Sequence, residues 1–364
     1  MSEPGVEAGA LFVDLGARVA ATLARLREVR GVTVGCSARR AVWSQGKTTL
    51  HEYLPLEGVR PRPGARPLLV CFALVNRPYI LDLQADSSLV RRLLGAGFRV
   101  YLVDWGDPDD GDRLVELNDY LEQGLGGCVR HILATHGIAA LDLMGVCQGG
   151  VFSLCYSALH PRQIANLITL TTAVDFQTPD DLLSKWVREL DTELLARAGN
   201  VPGELLNALF LSLMPFRLTQ QKYVRLLTGR ADRSALEDFV RMERWIFDSP
   251  PQAAAALTQF VRWFYQENRL VRGTLELGGR AVDLKSVRQP LLNLYATGDH
   301  IVPPAACEAM GRYVGSRDYT ARAIDTGHIG MYVSRKARAE IPQRIISWLE
   351  ARSGRKASGA RRRA

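Results

Sequence analysis

The 364-residue chain has no run of about 18 uninterrupted apolar residues, so no membrane-spanning helix is expected. Met1-Ser-Glu-Pro-Gly lacks a basic segment followed by an apolar one, which speaks against a secretory signal. The six cysteines, at 36, 71, 128, 147, 155 and 307, form no CxxC pair and no Cys/His cluster at zinc-site spacing. That excludes a finger-type metal site and a disulfide framework, and fits a reducing cytoplasm. No internal repeat is present. A basic body is also missing. Of the net charge of +8, six cations (Arg352, Arg355, Lys356, Arg361, Arg362 and Arg363) follow Glu350 in an acid-free stretch, leaving 8 − 6 = +2 for the rest. Residues 352–364 read as a solvated, disordered tail, and no specific nucleic-acid partner is expected.

What is present is a chain that is 47% hydrophobic, enough for a sizeable core. Leu11–Arg30 has helical apolar spacing, and Val32–Val34 and Thr48–Leu56 read as edge strands, so residues 1–66 form an N-terminal helix with edge strands of the core. From residue 67 to 173 strands and helices alternate. Leu68–Val75, Phe98–Val103, Ala139–Gly145 and Leu167–Thr172 are the strands; Ser87–Leu94, Leu114–His136 and Gly149–Leu159 are the helices. Such a rhythm indicates a mainly parallel α/β sheet. Over 174–285 it breaks into helical segments rich in aromatics: Leu182–Ala198, Glu204–Leu213, Gln220–Leu227, Ser234–Phe247 and Pro251–Asn268. An insertion there suits a cap over a site. The alternation resumes over 286–351 with strands Leu291–Ala296 and Tyr319–Ile324 and a last helix Ile341–Ala351.

Leu141-Asp-Leu-Met-Gly-Val-Cys-Gln-Gly-Gly-Val151 reads as a strand, a tight turn with Cys147 at its apex, and a helix. Gly145-x-Cys147-x-Gly149 has the spacing of a nucleophile elbow, where small residues let the following helix pack closely. The helix N-terminus beneath Cys147 favours a thiolate. The competing reading is a buried structural cysteine.

Asp299 and His328 follow two later strands. With Cys147 they give the order nucleophile, acid, histidine of α/β-hydrolases, and residues just past the strand ends of an open sheet converge on one crevice. The order and placement mark Cys147, Asp299 and His328 as a catalytic triad. Asp104 precedes the elbow, Asp325 is too near His328 in sequence, His131, His136 and His160 lie on helices with no partner pattern, His51 is on an edge strand and uninformative, and His300, whose side chain should point away from that of Asp299, is structural or accessory. An oxyanion hole needs two N–H groups. Gln148 would supply one and Val75, in the loop after an early strand, the other. A thiolate attacking a thioester yields another thioester and keeps the acyl group activated, which favours acyl transfer from thioester donors over plain ester hydrolysis.

The box Gly-Val-Cys147-Gln-Gly-Gly resembles that of polyhydroxyalkanoate synthases, specifically the short catalytic subunit of class III. So do Ala73-Leu-Val-Asn-Arg-Pro-Tyr-Ile-Leu-Asp82, Tyr101-Leu-Val-Asp-Trp-Gly106, Leu218-Thr-Gln-Gln-Lys-Tyr223, Arg241-Met-Glu-Arg-Trp-Ile-Phe-Asp-Ser-Pro250, Asp299-His-Ile-Val-Pro-Pro304 and Gly327-His-Ile-Gly-Met331. The resemblance runs from about residue 10 to 351. It implies an α/β-hydrolase fold with a helical cap insertion and polymerisation of (R)-3-hydroxyacyl-CoA with release of CoA. Cys147 would carry the growing polyester chain, His328 would act as base, and Asp299 would orient or assist His328. It also implies a second, non-catalytic subunit of the PhaE type, a homodimer or hetero-oligomer, and attachment to polymer granules in the cytoplasm. No metal or redox cofactor is implied, since the coenzyme A thioester is a substrate. Arg188, Lys222, Arg225 and Arg241 are candidates to hold its phosphates. The alternatives are a cysteine-elbow hydrolase, such as a thioesterase or dienelactone-type enzyme, and a binding protein on an inactive hydrolase fold.

Overall fold

Short runs that are apolar at nearly every position can be buried only between two layers, and here they form the middle of one sheet. In the computed structural model these are β3 (Leu68–Cys71), β4 (Val100–Asp104), β5 (Leu141–Val146), β6 (Ile164–Leu170) and β7 (Leu291–Ala296). Flanking them are β1 (Arg39–Gln45), β2 (Thr48–Tyr53) and β8 (Tyr319–Ile324). The sheet order is β1-β2-β4-β3-β5-β6-β7-β8. The run from β4 to β8 is parallel, and β1 and β2 are antiparallel additions at one edge. The structure describes residues 31–212 and 232–353, with Ala21, Thr22, Ala24, Leu26, Val29 and Leu226. The expected helix Leu11–Arg30 and the segment Gln220–Leu227 therefore fall almost wholly outside the described residues.

Alternate residues of each strand feed opposite cores, as the two-residue side-chain period requires. Leu69, Cys71, Leu141, Leu143 and Leu167 face helices α2 (Gly126–His136) and α3 (Gln148–Leu159). Leu68, Val70, Met144, Ile168 and Leu292 face α1 (Leu89–Gly95) and the last helix, Arg335–Glu350. The chain leaves β3 for β4 on one side and returns to β5 on the other. The carboxyl end of β5 is thus a topological switch point, where an open sheet forms a crevice.

Between β6 and β7 lies the helical cap: α4 (Leu182–Arg188), α5 (Thr192–Arg197), α6 (Gly203–Ser212), α7 (Arg233–Ile246) and α8 (Ala254–Phe260), the last continued by a wider turn over Val261–Gln266. Aspartates start three of them: Asp181, Asp191 and Asp232 accept N–H bonds from the first turns of α4, α5 and α7. Asp191 is also why the helix expected over Leu182–Ala198 is two helices. Phe260 meets Phe152 of α3 edge to face, and Phe176, Phe264 and Tyr265 cluster around Phe260, so aromatic contacts join cap to core.

Four expectations need correction. Val32–Val34 is not a strand; the edge strand is β1, whose sequence Arg-Arg-Ala-Val-Trp-Ser-Gln is mostly polar and exposed. The strand expected over Leu68–Val75 ends at Cys71, the last residue paired with β4 and β5; Phe72 to Leu74 stay buried but leave the ladder. The cap contains a small hairpin, Glu276–Leu277 with Arg280–Ala281. Arg352 is docked rather than loose: it lies over the Trp348 ring at 4.0 Å and pairs with Asp318 at 2.6 Å. The rest of the basic tail lies outside the described residues. Among the described residues no helix is long and apolar enough to cross a membrane.

Candidate active site

Cys147 sits between β5 and α3 with φ +54° and ψ −123°, a backbone region that a side chain normally avoids. The surroundings hold it there. Its N–H donates to Leu170 of β6 at 2.8 Å, and its carbonyl accepts from Gly150 at 2.9 Å. Close packing explains the flanking glycines. A Cβ at Gly149 would overlap the Cys71 and Phe72 carbonyls, and one at Gly145 would overlap the Gly150 backbone and the Ser153 hydroxyl.

His328 and Asp299 occupy the loops after β8 and β7. These strands pair in parallel from Leu291 with Tyr319 to Ala296 with Ile324, so the two loops leave the sheet side by side. His328 Nδ1 meets Asp299 Oδ2 at 2.7 Å. The other carboxylate oxygen accepts from the N–H groups of Ile301 and Val302, both at 2.9 Å, which fixes its orientation. Both side chains are buried. Burial opposes charge on the imidazole, but Asp299, and the Cys147 side chain that also reaches the ring, outweigh it and raise the His328 pKa to about 10. Sequence reasoning missed two neighbours. Tyr332 meets the His328 ring edge to face, and its hydroxyl lies 3.0 Å from Thr171 Oγ1, on a residue that also has positive φ.

Gln148 opens α3, so its N–H is the first helix donor without an intrahelical acceptor. Its side chain accepts from Leu74 N–H at 3.0 Å. Val75 is half-buried in the same loop. Cys147, Gln148, Val75 and His328 all line one cavity of about 1330 Å³, whose other walls are mostly leucine, valine and aromatic side chains of the cap.

The remaining candidates are engaged elsewhere. Asp104 pairs with His51 at 3.5 Å, His160 meets Glu122 at 2.8 Å, and His136 meets the Tyr101 hydroxyl at 2.8 Å. Asp325 pairs with Lys336, not with His328. Of the other thiols, Cys71 and Cys155 are buried and pushed up to about 12, and burial and Asp82 push Cys36 up to about 11. Arg241 bonds to Gln84, Asp238 and the Thr33 carbonyl, while Lys222 and Arg225 lie outside the described residues. Among the described residues no group of three His, Cys, Asp or Glu side chains could hold a metal ion.

Residues 67–334 match the family described as α/β hydrolase fold. The chain is 46% identical over 342 residues to the poly(3-hydroxyalkanoate) polymerase subunit PhaC of Allochromatium vinosum, covering 94% of this chain and 96% of that one. The chain belongs to the PhaC family. The same subunit of Thiocystis violacea is 44% identical, again over 94% and 96% of the two chains. Membership makes the protein an enzyme of acyltransferase type on an α/β-hydrolase fold. A monoacylglycerol lipase from Paleococcus ferrophilus has the same fold. It is 16% identical, with a TM-score of 0.50, over 79% of this chain and 97% of that one.

Proposed function

We propose that this chain polymerises (R)-3-hydroxyacyl-CoA into polyester, with Cys147 as nucleophile, His328 as base and Asp299 as the group that orients His328. In the first step His328 Nε2 takes the Cys147 proton, and the thiolate forms a bond to the thioester carbonyl. The bond to the CoA sulfur breaks, and that sulfur leaves with the proton held by His328. Val75 and Gln148 N–H groups stabilise the oxyanion between these events. In the second step the 3-hydroxyl of another unit gives its proton to His328 and attacks the Cys147 acyl carbon. An ester forms, the bond from that carbon to Cys147 Sγ breaks, and the sulfur takes back the proton from His328, restoring the thiol–imidazole pair for the next cycle.

The observation that carries this reading is the Cys147–His328–Asp299 line opening on a large, mostly apolar cavity. A polyester chain fits such a path, and few water molecules can compete there with a hydroxyl. The reading extends to a second, non-catalytic subunit and to the surface of cytoplasmic polymer granules as the working location. Product analysis with 3-hydroxybutyryl-CoA, with and without a candidate partner subunit, tests it. Insoluble polyester together with free CoA is expected; soluble hydroxyacid as sole product would mean a thioesterase instead.

A further inference from the structure

The loop carrying Val75 is held by residues of the cap rather than by the sheet. Gln252 stands in the cap, 4% exposed, and its backbone exchanges N–H bonds with Val201 at 2.8 and 2.9 Å. Its Nε2 donates to the Leu74 carbonyl at 2.9 Å and lies 3.3 and 3.2 Å from the Pro250 and Pro251 carbonyls. Three carbonyl oxygens around one atom fix the amide orientation, because only the NH2 end can face them. Leu74 C=O and Val75 N–H belong to one peptide unit, and no peptide bond in the described residues is cis. In a trans unit these groups point opposite ways. Holding the carbonyl against Gln252 therefore turns Val75 N–H the other way. Gln148 Oε1 takes Leu74 N–H, so the unit on the other side of Leu74 is fixed as well.

We infer that Gln252 is a positioning residue that aims the Val75 N–H at the oxyanion, making the charge-stabilising half of the site depend on the cap being seated. The inference rests on the acyl-transfer reading of Cys147. A glutamine that only fills space would affect stability and substrate binding, whereas one that aims an oxyanion donor acts in the transition state, and so on kcat.

The test compares wild type, Gln252→Ala and Gln252→Glu in CoA release from 3-hydroxybutyryl-CoA and in alkylation of Cys147 by iodoacetamide. Alkylation needs the thiolate and His328 but no oxyanion hole. In Gln252→Ala, kcat should fall by about 10- to 100-fold, with KM and alkylation rate within about twofold of wild type. Gln252→Glu should be as slow at high pH and recover as pH falls, because a protonated carboxyl can again donate to Leu74 C=O. The inference is overturned if Gln252→Ala keeps wild-type kcat, if alkylation falls in parallel with kcat, or if Gln252→Glu shows no recovery at low pH. Wild-type enzyme that releases no CoA would overturn the acyl-transfer reading instead.

Discussion

The two arms that meet over Cys147 are built differently. His328 and Asp299 stand 29 residues apart on loops that leave adjacent parallel strands, and they touch without help from the cap. The Val75 loop is tied to the core by Gln148 on Leu74 and by Asp107 on Arg77, and to the cap by more contacts still. Gln252 holds Leu74, Asn76 Nδ2 lies 3.4 Å from the Trp245 carbonyl, Trp245 Nε1 donates to the Arg77 carbonyl at 2.7 Å, and Arg77 pairs with Asp248 at 3.1 Å. Asn76 needs such support, since its φ is +62°. On the proposed mechanism, proton transfer would thus be set by the sheet, and the Val75 half of the oxyanion stabilisation by contacts that a moving cap would make and break. A cap that opens to admit CoA would switch off the second without disturbing the first.

The largest effect should come from removing the sulfur that both arms serve. Cys147→Ala should reduce CoA release to background while leaving the far-UV spectrum unchanged; retained release would remove Cys147 from the mechanism. Next comes the sheet-built arm alone. Asp299→Asn keeps the size of the side chain but loses its charge, and one amide oxygen must replace a carboxylate that bonds His328, Ile301 and Val302. The kcat should fall by roughly 100-fold or more. In contrast to Gln252→Ala, iodoacetamide should alkylate Cys147 more slowly as well. If Asp299→Asn and Gln252→Ala gave the same alkylation rate, the division between the two arms would be wrong.

A smaller effect separates the arms by pH. His328 has a folded-state pKa raised from 6.5 to about 10. Because it is raised, the imidazolium–Asp299 pair contributes stability that is fully present below about pH 6.5 and is lost as pH rises through about 10. Melting temperature measured from pH 6.5 to 10 should therefore decline by several degrees more in wild type than in His328→Gln. Parallel curves for the two proteins would show that the pair contributes nothing to the fold.

The same division decides what could be read from the sequence. Strands Leu291–Ala296 and Tyr319–Ile324 have the expected bounds, and the elbow was legible because its glycines are required by local close packing. Gly150 was not singled out, yet a Cβ there would collide with the Thr172 side chain, a contact that only the folded chain reveals. Gln252 carries no signal, and Trp245 and Asp248 appear only inside the Arg241–Pro250 motif with no role attached, for the same reason. Each acts on a loop 168 to 178 residues away, and a glutamine or tryptophan in a helical stretch carries no mark of that partner. Strand β1 escaped notice because an exposed edge strand needs no apolar run.

The smallest expected effect lies beneath both arms, in the sheet itself. Asp142 is 3% exposed on β5, five residues before Cys147, and accepts from Asn166 Nδ2 at 2.7 Å. Burial raises its pKa from 3.8 to about 6, against the pull of Asn166 and Arg66. An acid whose pKa is raised by folding favours the fold fully only below its unfolded value, and weakens it as pH climbs through about 6. Above that pH the chain buries a carboxylate that water would hold better. An asparagine there has the same shape, carries no charge, and can still accept from Asn166. Asp142→Asn should therefore raise stability by roughly 1–3 kcal/mol at pH 8, with the gain vanishing near pH 4. CoA release should stay within about twofold of wild type, because neither the His328 arm nor the Val75 arm touches this position. A gain that persists at pH 4 would mean that packing, not charge, sets the cost. A loss of activity would mean that the sheet transmits strain to the elbow, and the two arms would no longer be separable.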